Sequence, residues 1–258
     1  MIPIKDYNPT SRFAVVTAVL IAVNVLVYFG YQQRQGAQDV FSFERAAIPC
    51  ELKEHRPLTV IEFEATRRGF SNEACGVRAT QPIGNVEEFP QKNIYLAVLY
   101  SMFLHGSLLH IAGNMLFLWV FGNNIEDRMG VVPYIAFYLA SGVVATLAHV
   151  LVQPNSTVPL IGASGAIAGV MGAYLVLFPR VRIRTVFIFI FILIRDIPAV
   201  WLLAAWFLLQ FFTGNDSGVA WVAHVGGFVF GALVALLFRS RLRPTPPPPA
   251  PTPWRGGY

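Results

Sequence analysis

Charged residues are scarce in this chain. They make up 13% of its 258 residues, about half the share usual for a soluble domain. The apolar share is 55% and the mean hydropathy +0.55. These apolar residues lie in blocks too long and too numerous for one water-soluble core. Cysteine is scarcer still: Cys50 and Cys75 are the only two, which do not make a four-ligand zinc signature even with His55 nearby. No clear internal repeat is visible. The net charge of +5 is not accompanied by an organised module for reading RNA or DNA, so no nucleic-acid partner is expected.

What is present is apolar sequence in runs. Residues 13–29, 131–152 and 219–238 each approach the ~20 residues that a helix needs to cross the hydrocarbon of a bilayer. Runs at 107–121, 163–178 and 198–212 are shorter. In company they read as spans too, because neighbouring helices shield a short one and the bilayer thins locally. The first run is too long for a signal-peptide core, and Tyr28-Phe29-Gly30-Tyr31 is a poor cleavage site, so it is read as a retained span. The expected fold class is therefore all-α, a polytopic bundle of six membrane helices. A short N-terminus, 1–12, precedes the membrane domain, 13–238, and a proline-rich tail, 239–258, expected to be disordered, follows it.

Basic residues orient this bundle. Outside the long first loop, at about 31–93, they are Lys5, Arg12, Arg128, Arg180, Arg182, Arg184, Arg195, Arg239, Arg241, Arg243 and Arg255. All fall on the side of the N-terminus, and the opposite loops 153–162 and 213–218 hold no Lys or Arg. The positive-inside pattern puts both termini in the cytoplasm. Two regions resist the scheme. Thr185–Ile194 is too short to cross as a helix, and an unpaired strand cannot lie in lipid. It is placed at the cytoplasmic interface, as a shallow segment or an extension packed on the bundle, with Pro198 starting the fifth span. The loop 31–93 carries nine acidic and eight basic residues in mostly polar turns. It lies outside, where Cys50 and Cys75 are either a disulfide or two free thiols.

Ser164 stands at the head of the fourth span in "GASGAIAG". Alone it reads as a small residue that lets helices approach, and Gly165-x-x-x-Gly169 supports that. His224 enters the sixth span from the same side, about 7 Å along the helix at 1.5 Å per residue, and precedes a second packing pattern, Gly227-x-x-x-Gly231. If the two spans adjoin, the imidazole can take the serine proton and return it to a leaving amine. "HGSLLHIAGN" places His105, His110 and Asn114 at the same end of the second span. His110 and Asn114, four apart, share a helix face and can donate hydrogen bonds to an oxyanion together with the Ser164 N–H. No acidic residue at this depth offers a third triad member. Ionisable groups among spans are costly and often functional, and their common depth favours a site.

These segments, "HGSLLHIAGN" at 105–114, "GASG" at 162–165 and "AHVGGFVFG" at 223–231, closely resemble the rhomboid family of intramembrane serine proteases, and the bacterial six-span branch in particular. The resemblance is strong over about 94–238. It implies Ser164 as nucleophile, His224 as general base and acid, and His110 and Asn114 with the Ser164 backbone as the oxyanion hole. His105, Glu126 and Arg128 of "EDR", Gly162, Gly165, Gly227 and Gly231 would support the structure. Trp206, Phe207 and Trp221 would lie at a substrate gate built from 198–212 and 213–220. It implies membrane-protein substrates, a lipid environment, no metal or organic cofactor, and an inner or plasma membrane with the site opening to the extracytoplasmic side. A transporter using the cluster as a gate, and a noncatalytic membrane chaperone, are the competing classes. Ser164→Ala should spare both and abolish hydrolysis.

Overall fold

The computed structural model describes residues 1–34, 38–188, 192–212 and 220–242. The tail from residue 243 and nearly all of the 213–220 loop lie outside them. The chain begins with strand β1 (Ile2–Asp6), then α1 (Val15–Leu26), which continues through one π-helical turn at Val27–Tyr31. Four short helices follow: α2 (Gln38–Arg45), α3 (Pro49–Glu54), α4 (Val60–Arg67) and α5 (Leu96–Ser101). The bundle is completed by α6 (Leu108–Met129), α7 (Val131–Val152), α8 (Ser164–Leu177), α9 (Ala199–Gln210) and α10 (Trp221–Phe238), with strands β2 (Arg182–Ile188) and β3 (Ile192–Pro198) between α8 and α9.

Among the described residues three helices, α6, α7 and α10, are both long and apolar enough to cross a membrane, while 15–31, 164–177 and 199–210 are shorter apolar helices. The second run was expected to end near residue 121; the helix continues through Met129. "EDR" therefore belongs to its last turns and does not follow it. The extension has a physical use. The Glu126 carboxylate accepts from the backbone N–H groups of Val16 and Thr17 at 2.9 and 2.8 Å and from the Thr17 hydroxyl at 2.8 Å. It thus closes the unsatisfied N-terminus of α1 with a charge of the favourable sign. Asp127 accepts from Ser11 N–H and hydroxyl, and the Arg128 guanidinium lies over the Phe178 ring. Gly130, at φ +84°, lets the chain reverse directly into α7.

The all-α expectation is corrected at one end of the bundle, where β1, β2 and β3 form an antiparallel sheet in that order. The sequence places the apolar run at 185–194 at the interface, because it is too short to cross as a helix and an unpaired strand cannot lie in lipid. It is paired because it folds back on itself: Arg184 opposes Asp196 and Val186 opposes Ile194. The N-terminal residues add a third strand, with Ile2 opposite Val186 and Asp6 opposite Ile183. Backbone groups that a lone strand would leave bare are thereby satisfied.

Asp6 ties this sheet to the bundle. Its Oδ2 accepts from Tyr174 Oη of α8 at 2.9 Å and from Asn124 Nδ2 of α6. Burial pushes its carboxyl up from 3.8 to about 6, against the hydrogen bonds that favour the anion. A carboxyl raised in the folded state contributes stability that is complete below its unfolded pKa and lost as pH rises through the folded one. Docking of β1 is therefore expected to loosen between about pH 4 and pH 6, read as faster hydrogen exchange at residues 2–6 and 183–186. Asp6→Asn should remove that pH dependence; an unchanged profile would contradict the assignment.

At the other end the 31–93 segment is more than polar turns. Phe43, Ile48, Cys50, Leu58 and Phe63 form a separate apolar cluster. Cys50 and Cys75 are joined in a disulfide, and the buried pair Glu51–Lys92 closes at 2.6 Å. Thr59 and Glu62 make a reciprocal capping box on α4. This subdomain holds the α7–α8 connection: Cys50 N–H donates to Ser156 O, Thr157 N–H to Ser71 O and Leu160 N–H to Ala47 O, at 2.9, 3.0 and 2.8 Å. Replacing both cysteines by serine is expected to cost about 3 kcal/mol of subdomain stability. Cleavage at 36–92 by added protease should then appear at lower temperature than in the wild type; equal resistance would show that the disulfide adds nothing.

Candidate active site

Backbone contact between α8 and α10 sets this site. The two helices run parallel, with Gly165 level with Gly227 and Gly169 level with Gly231. A methyl on Gly227 would overlap Gly165 O, one on Gly231 would overlap Gly169 O, and one on Gly172 would overlap Phe228 O. The small residues thus do the packing that their spacing suggested, and by doing it they bring Ser164 and His224 together. Ser164 is the first residue of α8 and His224 lies in the first turn of α10. Ser164 Oγ is 2.8 Å from His224 Nε2. The packing reading and the chemical reading of Ser164 are therefore compatible.

The remaining polar groups converge on the same place from α6. Ser107 caps this helix by accepting from His110 N–H at 3.1 Å, which fixes the first turn that carries His110. Gly162, two residues before the serine, has φ +122°. A side chain there would be strained, and its Cβ would lie 2.7 Å from His110 Nε2 and 3.5 Å from Asn114 Nδ2. Gly162 thus leaves room for both donors beside Ser164. Asn114 is buried, and its Nδ2 has no hydrogen-bond partner among the described residues. An unpaired buried donor costs free energy unless something fills the position in front of it. As the first residue of its helix, Ser164 also has a backbone N–H without an intrahelical acceptor.

These groups line a cavity of about 790 Å³. Its walls include His110, Asn114, Ser164 and His224, together with Gly106, Trp206 and, from the subdomain and the α7–α8 connection, Ser71, Asn72 and Ser156. His105 is fully buried and sits edge-on to the His110 ring, centroids 5.2 Å apart. Burial pushes its imidazole down to about 4, with the nearby His110 acting in the same direction, so the ring is neutral. Trp206 lies against the His224 ring at 5.8 Å, Phe207 packs on Phe228 at 4.8 Å, and Phe211 joins Trp221 at 5.8 Å. The three residues expected at a gate are therefore part of one aromatic seam between α9 and α10.

Three polar residues at this end escaped the sequence reading. Gln32 clamps the His105 backbone from both sides, accepting from its N–H at 3.0 Å and donating to its carbonyl at 2.6 Å. His149, one turn beyond Ala145 on α7, lines the cavity. Gln210, the last residue of α9, is buried and meets His224 Nδ1 at 2.7 Å. Their signal was available: each interrupts or closes an apolar run, and isolated polar groups among spans are rarely idle.

A family model for the Rhomboid domain matches residues 92–241, which include every candidate residue of the cavity from α6, α8 and α10. Rhomboid protein 1, mitochondrial, of Saccharomyces cerevisiae is 29% identical over 150 residues, 54% of this chain and 40% of that protein. Rhomboid protease AarA of Providencia stuartii is 32% identical over 151 residues, 54% of each chain. The bovine (Bos taurus) presenilin-associated rhomboid-like protein, mitochondrial, is 32% identical over 143 residues, 52% of this chain and 36% of its own length. The chain thus matches about half or less of the length of these relatives.

Proposed function

The chain belongs to the rhomboid family, related to bacterial and mitochondrial rhomboids, and on that premise we propose that it is an intramembrane serine endopeptidase of the six-span bacterial type. The observation that carries this reading is the 2.8 Å contact between Ser164 Oγ and His224 Nε2, inside a cavity where the Asn114 carboxamide is unpaired.

The chemistry follows from these positions. A substrate segment unwinds, because a helical carbonyl is hidden in its own hydrogen bond. Ser164 Oγ attacks the exposed carbonyl carbon while His224 Nε2 takes the hydroxyl proton. The new C–O bond leaves negative charge on the carbonyl oxygen, which accepts from Asn114 Nδ2, His110 and Ser164 N–H. His224 gives its proton to the amine as the C–N bond breaks. Water then repeats the attack on the acyl-enzyme and frees the serine.

The substrates in this reading are transmembrane proteins held in lipid. The six crossing helices are the 15–31 helix, α6, α7, α8, α9 and α10, with both termini and the β-sheet in the cytoplasm and the cavity opening to the extracytoplasmic side of a bacterial inner or plasma membrane. The distribution of Lys and Arg supports that orientation. His105, Glu126, Arg128 and the four glycines act as supports, and Trp206, Phe207 and Trp221 border the entry. The test is cleavage of single-span reporter proteins in proteoliposomes, with fragment ends identified by mass. Cleavage near one membrane face, absent with Ser164→Ala, is the expected result. Intact reporters across a diverse panel would count against an endopeptidase.

A further inference from the structure

Gln210 closes α9, and the orientation of its carboxamide is determined. Its Nε2 donates to Trp206 O, one turn back on the same helix, at 3.0 Å. A carboxamide nitrogen only donates and its oxygen only accepts, so this bond turns Oε1 toward His224 Nδ1, 2.7 Å away. An acceptor at that distance requires a proton on Nδ1. In the neutral ring Nε2 is then bare, the state in which it accepts the Ser164 hydroxyl at 2.8 Å. Reversing the tautomer would place two acceptors face to face, Gln210 Oε1 and a bare Nδ1, while the serine hydroxyl would turn to accept from Nε2–H and lose the geometry for attack.

The same oxygen matters once the ring becomes charged. When His224 takes the serine proton, both ring nitrogens carry hydrogen, and Gln210 Oε1 presents the negative end of a dipole to the new cation. Gln210 is only 7% exposed, so this dipole is poorly screened. A carboxylate in its place would carry the cost of burying a charge. Trp206 packs against the imidazole and receives the other half of the Gln210 bond, so ring orientation and amide orientation are held by one turn of α9. Among the described residues, the other titratable groups near enough to act on His224 are His110 of α6 and His149 of α7.

We propose that Gln210 is a positioning residue: it holds His224 in the Nδ1-protonated tautomer and stabilises the imidazolium formed as Ser164 loses its proton. This rests on the protease reading above, and adds to the serine and histidine a third, uncharged member supplied by α9.

Two readouts on the full chain in detergent test it. In ¹⁵N-histidine spectra, wild-type His224 should show protonated Nδ1 and bare Nε2, and Gln210→Leu should lose that preference. The rate of Ser164 labelling by a fluorophosphonate should fall roughly 10- to 100-fold in Gln210→Leu, the range for a lost hydrogen bond to a group that becomes charged. Gln210→Glu, nearly isosteric, should recover most of the rate and move the acid limb of the pH–rate profile to higher pH, because a carboxylate favours the imidazolium more strongly. A lost helix contact would produce neither that recovery nor that shift. Labelling of Gln210→Leu within about twofold of wild type, or an unaltered tautomer, overturns the proposal. If wild type itself does not label, the spectra still decide the role of Gln210, and only the protease reading falls. If Gln210→Leu does not fold, the direction of the Gln210→Glu shift decides.

Discussion

Ser164→Ala is expected to lower reporter cleavage by about three orders of magnitude or more, and His224→Ala by a comparable factor, without loss of fold. The size follows from how such pairs act. Removing either the nucleophile or its base forfeits the same step, so single losses approach the loss of both. The double variant should therefore be little worse than either single one. Structure at this point is insensitive to the change: Ser164 begins its helix, alanine is a better helix former than serine, and the hydroxyl bonds to His224 itself. A thermal unfolding curve within about 1 kcal/mol of wild type should accompany the inactive protein. Residual cleavage at a tenth of the wild-type rate or more would mean that another group performs the attack.

Gly231→Leu is expected to be the most damaging change outside the cavity. Even a methyl at this position would overlap the carbonyl oxygen of Gly169 and crowd its backbone carbon. Backbone cannot rotate away as a side chain can, so α8 and α10 must separate. Overpacking of this kind costs about 3 kcal/mol, occasionally more. Because Ser164 and His224 ride on those two helices, cleavage should fall together with stability, and Gly231→Ala should show a smaller version of both effects. Gly30 provides the contrast, since a Cβ there meets nothing within 4 Å, and Gly30→Ala should be silent in both assays. Stability and cleavage that respond equally at Gly30 and Gly231 would refute the helix-contact explanation.

Much of this arrangement was legible because membrane sequence carries its constraint locally. The runs at 131–152 and 219–238 appear as α7 and α10 with little change at their ends. Ser164, His224, His110 and Asn114 stood out as polar groups at one depth, and the glycine spacings marked the surfaces that bring the first two together. Three features depended on distant partners instead. Strand β1 pairs with residues about 180 positions later, and nothing in Ile2–Asp6 signals that the hairpin will offer it an edge. Helix α6 overran its apolar stretch because Glu126 and Asp127 find partners on α1 and before it; polar residues ended the run in sequence but not in space. Gln210 was hidden differently. It carries no charge and so does not resemble the acidic third member of a triad, although a carboxamide can hold an imidazole tautomer without a charge.

The most direct measurement is the site of reaction with a serine-directed fluorophosphonate, read by intact mass and peptide mapping of the wild-type chain beside His224→Ala. The account predicts one adduct on wild type, mapped to Ser164, and its loss when His224 is replaced. An adduct on another serine, or labelling of Ser164 indifferent to His224, would contradict it.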